Sequence, residues 1–157
     1  MGEVVVAGAV IVRAFRLFVA RRTRPQSAAG FWELPGAEVR PGEDDRMALD
    51  RVFTTEFSIS VHCVDQILGE RLLQSWQTES GDYSPAVLRL WRCQLPSQST
   101  LDLDRGDPLP NHAEYDESRW ADVDDPDAVG PWRDADRLSA GEIADHYHAD
   151  LVWQQAD

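Results

Sequence analysis

Val4 to Val12 reads VVVAGAVIV, a β-branched and nearly unbroken apolar run that predicts a strand covered on both faces. Leu17 to Ala20 is a second strand, expected to pair with the first as a hairpin. The connection Arg13-Ala14-Phe15-Arg16 lacks the Asn-Gly or Asp-Gly usual in a tight turn. Arg21 to Gly30 is polar, contains Pro25 and Ser27, and reads as a loop; Phe31 to Leu34 gives a short strand ending at Pro35-Gly36. Leu49, Phe53 and Phe57 recur at every fourth residue, and Asp44 and Asp45 stand where a helix N-terminus favours negative charge, so Asp44 to Phe57 is predicted helical. Ser58 to Leu73 and Ala86 to Leu95 are strand-like, separated by a turn-rich stretch from Thr78 to Pro85, and are expected to join the N-terminal hairpin in one sheet. Gln98 to Asp127 reads as loop around a short strand, Arg119-Trp120-Ala121. Leu138 to Gln154 carries Ile143, Tyr147, Leu151 and Val152 as an apolar stripe, with Ser139 and Glu142 in capping-box spacing, and is predicted as a final helix. This order implies an α+β sandwich with a mixed sheet rather than a doubly wound one.

Composition narrows the class. A chain of 157 residues with 43% hydrophobic residues, six Trp and five Phe fits a single globular domain over residues 1–157. No apolar run approaches the roughly 18–20 residues that span a bilayer. Met1-Gly2-Glu3 leads directly into strand-like residues, so a cytoplasmic protein without membrane partners is expected. The formal charge of -13 disfavours duplex nucleic acid, whose binding relies on basic residues displacing counterions; an anionic substrate would arrive with a cation. Cys63 and Cys93 have no CxxC spacing and no His at a metal-ligand interval, so they read as buried thiols. Oligomeric state, a homodimer included, is open.

The segment from Gly36 to Ile59, GAEVRPGEDDRMALDRVFTTEFSI, holds the candidate chemistry. Positions 52, 55 and 56 share a helix face, because 52 lies three residues before 55 and four before 56. Cleaving a phosphoric anhydride calls for carboxylates on such a face, a cation they hold, and a base that activates water. Here the face shows Val52, Thr55 and Glu56.

The segment resembles the Nudix box: a Gly, five residues, a Glu, seven residues, then REUxEExGU, where U is a bulky aliphatic residue. Glu43 is followed by seven residues and Arg51, so the spacing matches. The family's Glu after Arg is Val52, the first Glu of its pair is Thr55, its later Gly is Ser58 and its opening Gly is Ala37. The likeness to the MutT-like branch extends through LFVARR, FWELPG, EYDESRW and ADRL, roughly residues 4 to 152. It implies an α/β/α sandwich and hydrolysis of a nucleoside triphosphate or related diphosphate with Mg²⁺ or Mn²⁺, slowed by the missing acids. The alternative is an inactive module that binds a nucleotide or protein. By the same resemblance, the Gly36 carbonyl, Glu56 and Glu114 ligate metal, Glu43, Glu56 and Arg51 belong to the catalytic set, Arg22 contacts substrate, and Asp136 reads a purine edge. Plainer readings stand beside these. Glu43 and Arg51 form a helix-surface ion pair, Arg22 ends a solvated strand, Asp136 caps a turn, and Trp132 is either core or the border of a base pocket.

Overall fold

The computed structural model describes residues 3–96, 110–111 and 113–149. The expected residues 101–109 of the acidic loop, His112, and the helix beyond 149 with Leu151 and Val152 lie outside these. Strands β1 (Val4–Val10), β5 (Gly36–Glu38), β6 (His62–Gln77) and β7 (Tyr83–Gln94) form one mixed sheet in the order β5-β1-β7-β6. In it β1 runs parallel to β7 and antiparallel to β5. Strands β2 (Val12–Arg13), β3 (Arg16–Arg22), β4 (Trp32–Glu33) and β8 (Tyr115–Asp122) form a second sheet, with β3 pairing the other three. Helices α1 (Asp45–Phe57) and α2 (Asp134–Ala149) complete the architecture. No helix among the described residues is long and apolar enough to cross a membrane.

The two sheets correct the sequence reading. The apolar run breaks at Ile11: β1 stays in the first sheet, while Val12 and Arg13 cross to pair with β3 in the second. The hairpin through Ala14 and Phe15 is therefore only two residue pairs long and does not join β3 to β1. Both turn residues adopt positive φ, 50° and 64°, as a two-residue hairpin turn of the favoured hand demands even without Asn-Gly. Alternation explains why the run is apolar on every position. Ala7, Ala9 and Ile11 pack with Phe18, Leu49, Phe53 and Phe57 against α1, and Val6 and Val10 pack with Leu17, Val19, Ile143 and Tyr147 against α2. Each buried large side chain contributes roughly 1.5–3 kcal/mol, and both helices are held by such stripes.

Helix α1 matches its prediction closely. The Asp44 side chain accepts a hydrogen bond from the Met47 amide, 2.9 Å, an N-cap that satisfies one orphan donor. At the far end Ser58 sits in the left-handed region, φ 56° and ψ 35°, a conformation that costs a residue with a Cβ roughly 1–2 kcal/mol. Ser58→Gly is expected to raise stability by about 0.5–1 kcal/mol, read as a higher melting temperature; a lower one would show that the hydroxyl outweighs the strain. Helix α2 begins four residues before Leu138, at Asp134, so the capping box at Ser139 is not formed. Instead the buried Ser139 hydroxyl bonds back to the Ala135 carbonyl within the helix, 2.9 Å. Strand β8 likewise runs well beyond Arg119-Trp120-Ala121 on both sides.

Candidate functional site

Gly36 stands at the centre of the site because the backbone there is packed to contact. A Cβ on Gly36 would lie 2.1 Å from the Ala7 carbonyl oxygen, so only glycine allows β5 to register Gly8 against Gly36 and Ala7 against Ala37. Arg22, at the end of β3, is buried and spends its guanidinium on three partners. Nε donates to Glu33 Oε2 (2.9 Å), Nη1 to Glu114 Oε2 (2.8 Å) and Nη2 to the Gly36 carbonyl (2.9 Å). The guanidinium also stacks over Tyr115, 4.6 Å from the ring centroid. Its pKa is raised: the carboxylates of Glu33 and Glu114 outweigh a larger single opposing effect, burial.

Glu33 is the hub of this network. Besides Arg22 it accepts from Arg133 Nη1 at Oε1 (2.9 Å) and from the Tyr115 hydroxyl at Oε2 (3.0 Å). The Tyr115 oxygen in turn accepts from the Gly36 amide, 3.2 Å, and burial pushes the phenol pKa well up, so Tyr115 remains a donor. A carboxylate 3% exposed is tolerated because two arginines and a hydroxyl satisfy it.

Helix α1 turns Val52, Thr55 and Glu56 toward a cavity of about 540 Å³, and Gly36, Glu114 and Tyr115 line the same space. Glu56 and Glu114 thus share one cavity beside the Gly36 carbonyl. Glu56 Oε1 accepts the Glu114 amide, 2.8 Å, which fixes the two residues to each other. Glu43 is elsewhere: Arg51 Nε and Nη2 clamp its two oxygens at 2.8 and 3.0 Å, and the Arg40 amide adds 2.9 Å. Arg51 also reaches the Glu38 carbonyl, 2.9 Å, so the pair ties the loop to α1. The Glu43 carboxyl is held below its ordinary pKa chiefly by the Arg51 hydrogen bond.

Arginines already claim most of the oxygens that a divalent cation would use here. The Gly36 carbonyl already receives Arg22. The two Glu114 oxygens accept Arg22 and Arg24 (2.8 and 3.1 Å), and those of Glu43 accept Arg51 and Arg40. Among the described residues no three acids, His or Cys gather in a metal-holding cluster, whereas hard cations require several unclaimed oxygens.

The cavity is instead rich in guanidinium groups. All fifteen basic residues of the chain are arginines, and five of them, Arg22, Arg24, Arg40, Arg51 and Arg133, line this space against four glutamates. Acids outnumber bases almost two to one over the whole chain, so the balance is inverted here. Arg24 and Arg40 had no signal in sequence beyond polar loop. They become cavity wall through distant partners: Arg40 pairs with Glu79 in the turn after β6 at 3.2 Å, and Arg24 with Glu114 just before β8 at 3.1 Å.

Asp136 lies in a second cavity, about 460 Å³, lined also by Glu33, Leu34, Leu72, Trp76 and Leu138. Gly36, Trp76 and Arg133 border both cavities, so the two adjoin. Burial, then the nearby Glu33 charge, push the Asp136 carboxyl up to about 7, against the opposing pull of Arg133 and the Leu34 amide. The aromatic wall is Trp76, held by Glu38 Oε1 (2.9 Å) and covered by Arg133 at 4.8 Å. Trp132 is core: it is buried, and its ring nitrogen donates to the Pro126 carbonyl, 2.9 Å.

Two helices sandwiching these sheets, with a Gly-anchored loop leading into α1, make this a Nudix-fold protein. Its fold matches the MutT Nudix hydrolase of Burkholderia pseudomallei (TM-score 0.63, 22% identity, covering 90% of this chain and 98% of that one). It matches the MutT protein of Methanosarcina mazei Go1 with a TM-score of 0.70 at 17% identity, covering 94% and 96%. The Ap4A hydrolase of C. elegans gives 0.63 at 19% identity, covering 94% and 99%. In sequence, 72 residues are 44% identical to a Mycobacterium tuberculosis protein named "Putative 8-oxo-dGTP diphosphatase 2", 46% of this chain and 49% of that one. The matched stretch therefore spans about half the length of this curated relative. No family model matches the chain.

Proposed function

We propose that this chain binds a purine nucleoside di- or triphosphate across the two adjoining cavities. Its anhydride cleavage is far slower than that of a helix with acids at positions 52 and 55. The observation that supports this reading best is the junction itself: one cavity holds the half-buried Asp136 carboxyl and the Trp76 ring, the next is lined by five arginines, and Trp76 and Arg133 border both. The base lies in the cavity that Trp76 and Asp136 both line, where Asp136 would accept hydrogen bonds from ring N–H and amino groups when ionised. Arg24 and Arg40 are the phosphate contacts. Both arginines are themselves exposed, Arg24 on the half-buried Glu114 and Arg40 on the exposed Glu79, and ion pairs of exposed side chains are worth only about 0–1 kcal/mol, so a polyphosphate draws them off at little cost and gains bidentate guanidinium contacts. Arg22 is a positioning residue here, since its donors are committed to Glu33, Glu114 and Gly36.

The reading has support in the fold it shares with MutT and Ap4A hydrolases and in the named diphosphatase relative. Slow cleavage follows from Val52 and Thr55 occupying the face where acids would assist water, because losing one well-placed catalytic group costs roughly 10²–10⁴-fold. Incubating the purified chain with purine nucleoside triphosphates and Mg²⁺, while following pyrophosphate and phosphate release, tests both parts. Nucleotide raises the melting temperature of the natural chain, and release rises at least about 100-fold in the Val52→Glu, Thr55→Glu variant. Rapid release by the natural chain, unaltered by Glu56→Gln, would show that the chemistry lies elsewhere.

A further inference from the structure

The nucleotide cavities make no use of the chain's two cysteines, yet the fold brings them together. Cys63 near the start of β6 and Cys93 near the end of β7 are direct cross-strand partners, thirty residues apart in sequence, with their sulfurs 3.3 Å from each other. Both are free thiols and both are buried. The ladder slips in register immediately after Cys63, between Cys63 and Asp65, and such a bulge gives the strand local freedom that a regular ladder lacks. The two thiols differ in access. Cys63 lines an open cavity of about 500 Å³ with Arg46, Met47, Asp50, Val61, His62 and Val64, a space Cys93 does not reach.

We propose that Cys63 and Cys93 form an oxidisable dithiol site, in which a hydroperoxide oxidises Cys63 and Cys93 then closes a disulfide across β6 and β7. In the first step the Cys63 thiolate attacks the near peroxide oxygen, the O–O bond breaks, and Cys63 becomes a sulfenic acid while the other oxygen leaves as water or alcohol after protonation. In the second, the Cys93 sulfur attacks the Cys63 sulfur, the S–O bond breaks, and the Cys93 proton leaves with the hydroxyl as water. Two thiols and one hydroperoxide give one disulfide, one water and one water or alcohol. The sulfurs need close by little more than 1 Å from 3.3 Å to reach the usual bond length of roughly 2.05 Å.

The electrostatics assign the same order. Cys93 donates its proton toward Cys63, and this hydrogen bond, aided by the Arg46 charge, brings the Cys63 thiol below its ordinary pKa despite burial. The same hydrogen bond and burial push Cys93 up. Thiolate character and exposure govern which thiol meets the oxidant.

The test treats the full chain with a small excess of hydrogen peroxide. The expected product has lost both titratable thiols, is lighter by about 2 Da, runs as a monomer without reductant, and returns to the starting mass with dithiothreitol. Its melting temperature rises by roughly 5–10 °C, because the bond closes a loop of about thirty residues. In Cys93→Ser the reaction stops at a sulfenic acid that dimedone traps, and in Cys63→Ser the remaining thiol reacts at least about tenfold more slowly than Cys63 does. The proposal is overturned if the natural chain only gains oxygen, cross-links between chains, or keeps both thiols until it unfolds. Equal reactivity of Cys93 in Cys63→Ser overturns the order of steps.

Discussion

Glu33→Ala is expected to destabilise the fold by about 3–5 kcal/mol, the usual cost of removing one partner from a buried ion pair. Two guanidinium groups, Arg22 and Arg133, and the Tyr115 hydroxyl lose their shared acceptor at once, and neither arginine can shed its charge. Glu33→Gln keeps the shape and one acceptor oxygen and is expected to cost less. Chemical denaturation of the three proteins gives the comparison; a loss under about 1 kcal/mol for Glu33→Ala would mean that water replaces the carboxylate freely. The same substitution changes the pH dependence of stability. Asp136 has its carboxyl raised from 3.8 to about 7, so between those values the folded chain holds a proton that the unfolded chain releases. Its contribution to stability is therefore lost as pH climbs from about 4 to about 7. With the Glu33 charge gone, the upper edge of that window moves to lower pH.

Gly36→Ala is expected to be the most damaging single methyl in the chain. The added carbon would stand 2.1 Å from the Ala7 carbonyl and 3.0 Å from the Gly8 Cα, and both neighbours are backbone in the central strand β1. Relief requires β5 to leave β1, breaking the pairs at Ala7 and Gly8, and with them the Gly36 carbonyl that Arg22 holds. Overpacking of flexible side chains costs about 1–3 kcal/mol; here nothing flexible can yield, so the variant is expected to lack the cooperative unfolding transition of the natural chain. A normal melting curve would show that the loop has room to move.

Much of this was legible in sequence where periodicity and spacing speak locally. The four-residue recurrence of Leu49, Phe53 and Phe57 and the acids Asp44 and Asp45 gave α1 to within a residue, and the spacing of 52, 55 and 56 placed all three on the cavity wall. The spacing from Glu43 to Arg51 brought those two together as the ion pair, with Arg51 on the cavity wall and Glu43 off it. Partnership across the chain was not legible. An apolar run records burial on two faces but not the sheet to which each end belongs, so the crossover at Ile11 was invisible. Ser139 and Glu142 have capping-box spacing, yet the helix starts earlier and turns the serine inward. Glu33, Tyr115, Arg24 and Arg40 carried no local pattern of chemistry; they meet only because β3, β8, the loop before α1 and the β6 turn converge.

The central claim is that the arginine cavity and the Asp136 cavity together hold one nucleotide. Isothermal titration of a non-hydrolysable purine nucleoside triphosphate tests it most directly, using the natural chain, Arg24→Ala with Arg40→Ala, and Asp136→Ala. The account predicts a single site in the natural chain, weakened at least about tenfold in each variant, as loss of about 1.4 kcal/mol of contact requires. Equal affinity in all three proteins, or heat only from inorganic triphosphate with no preference for the nucleoside, would contradict it.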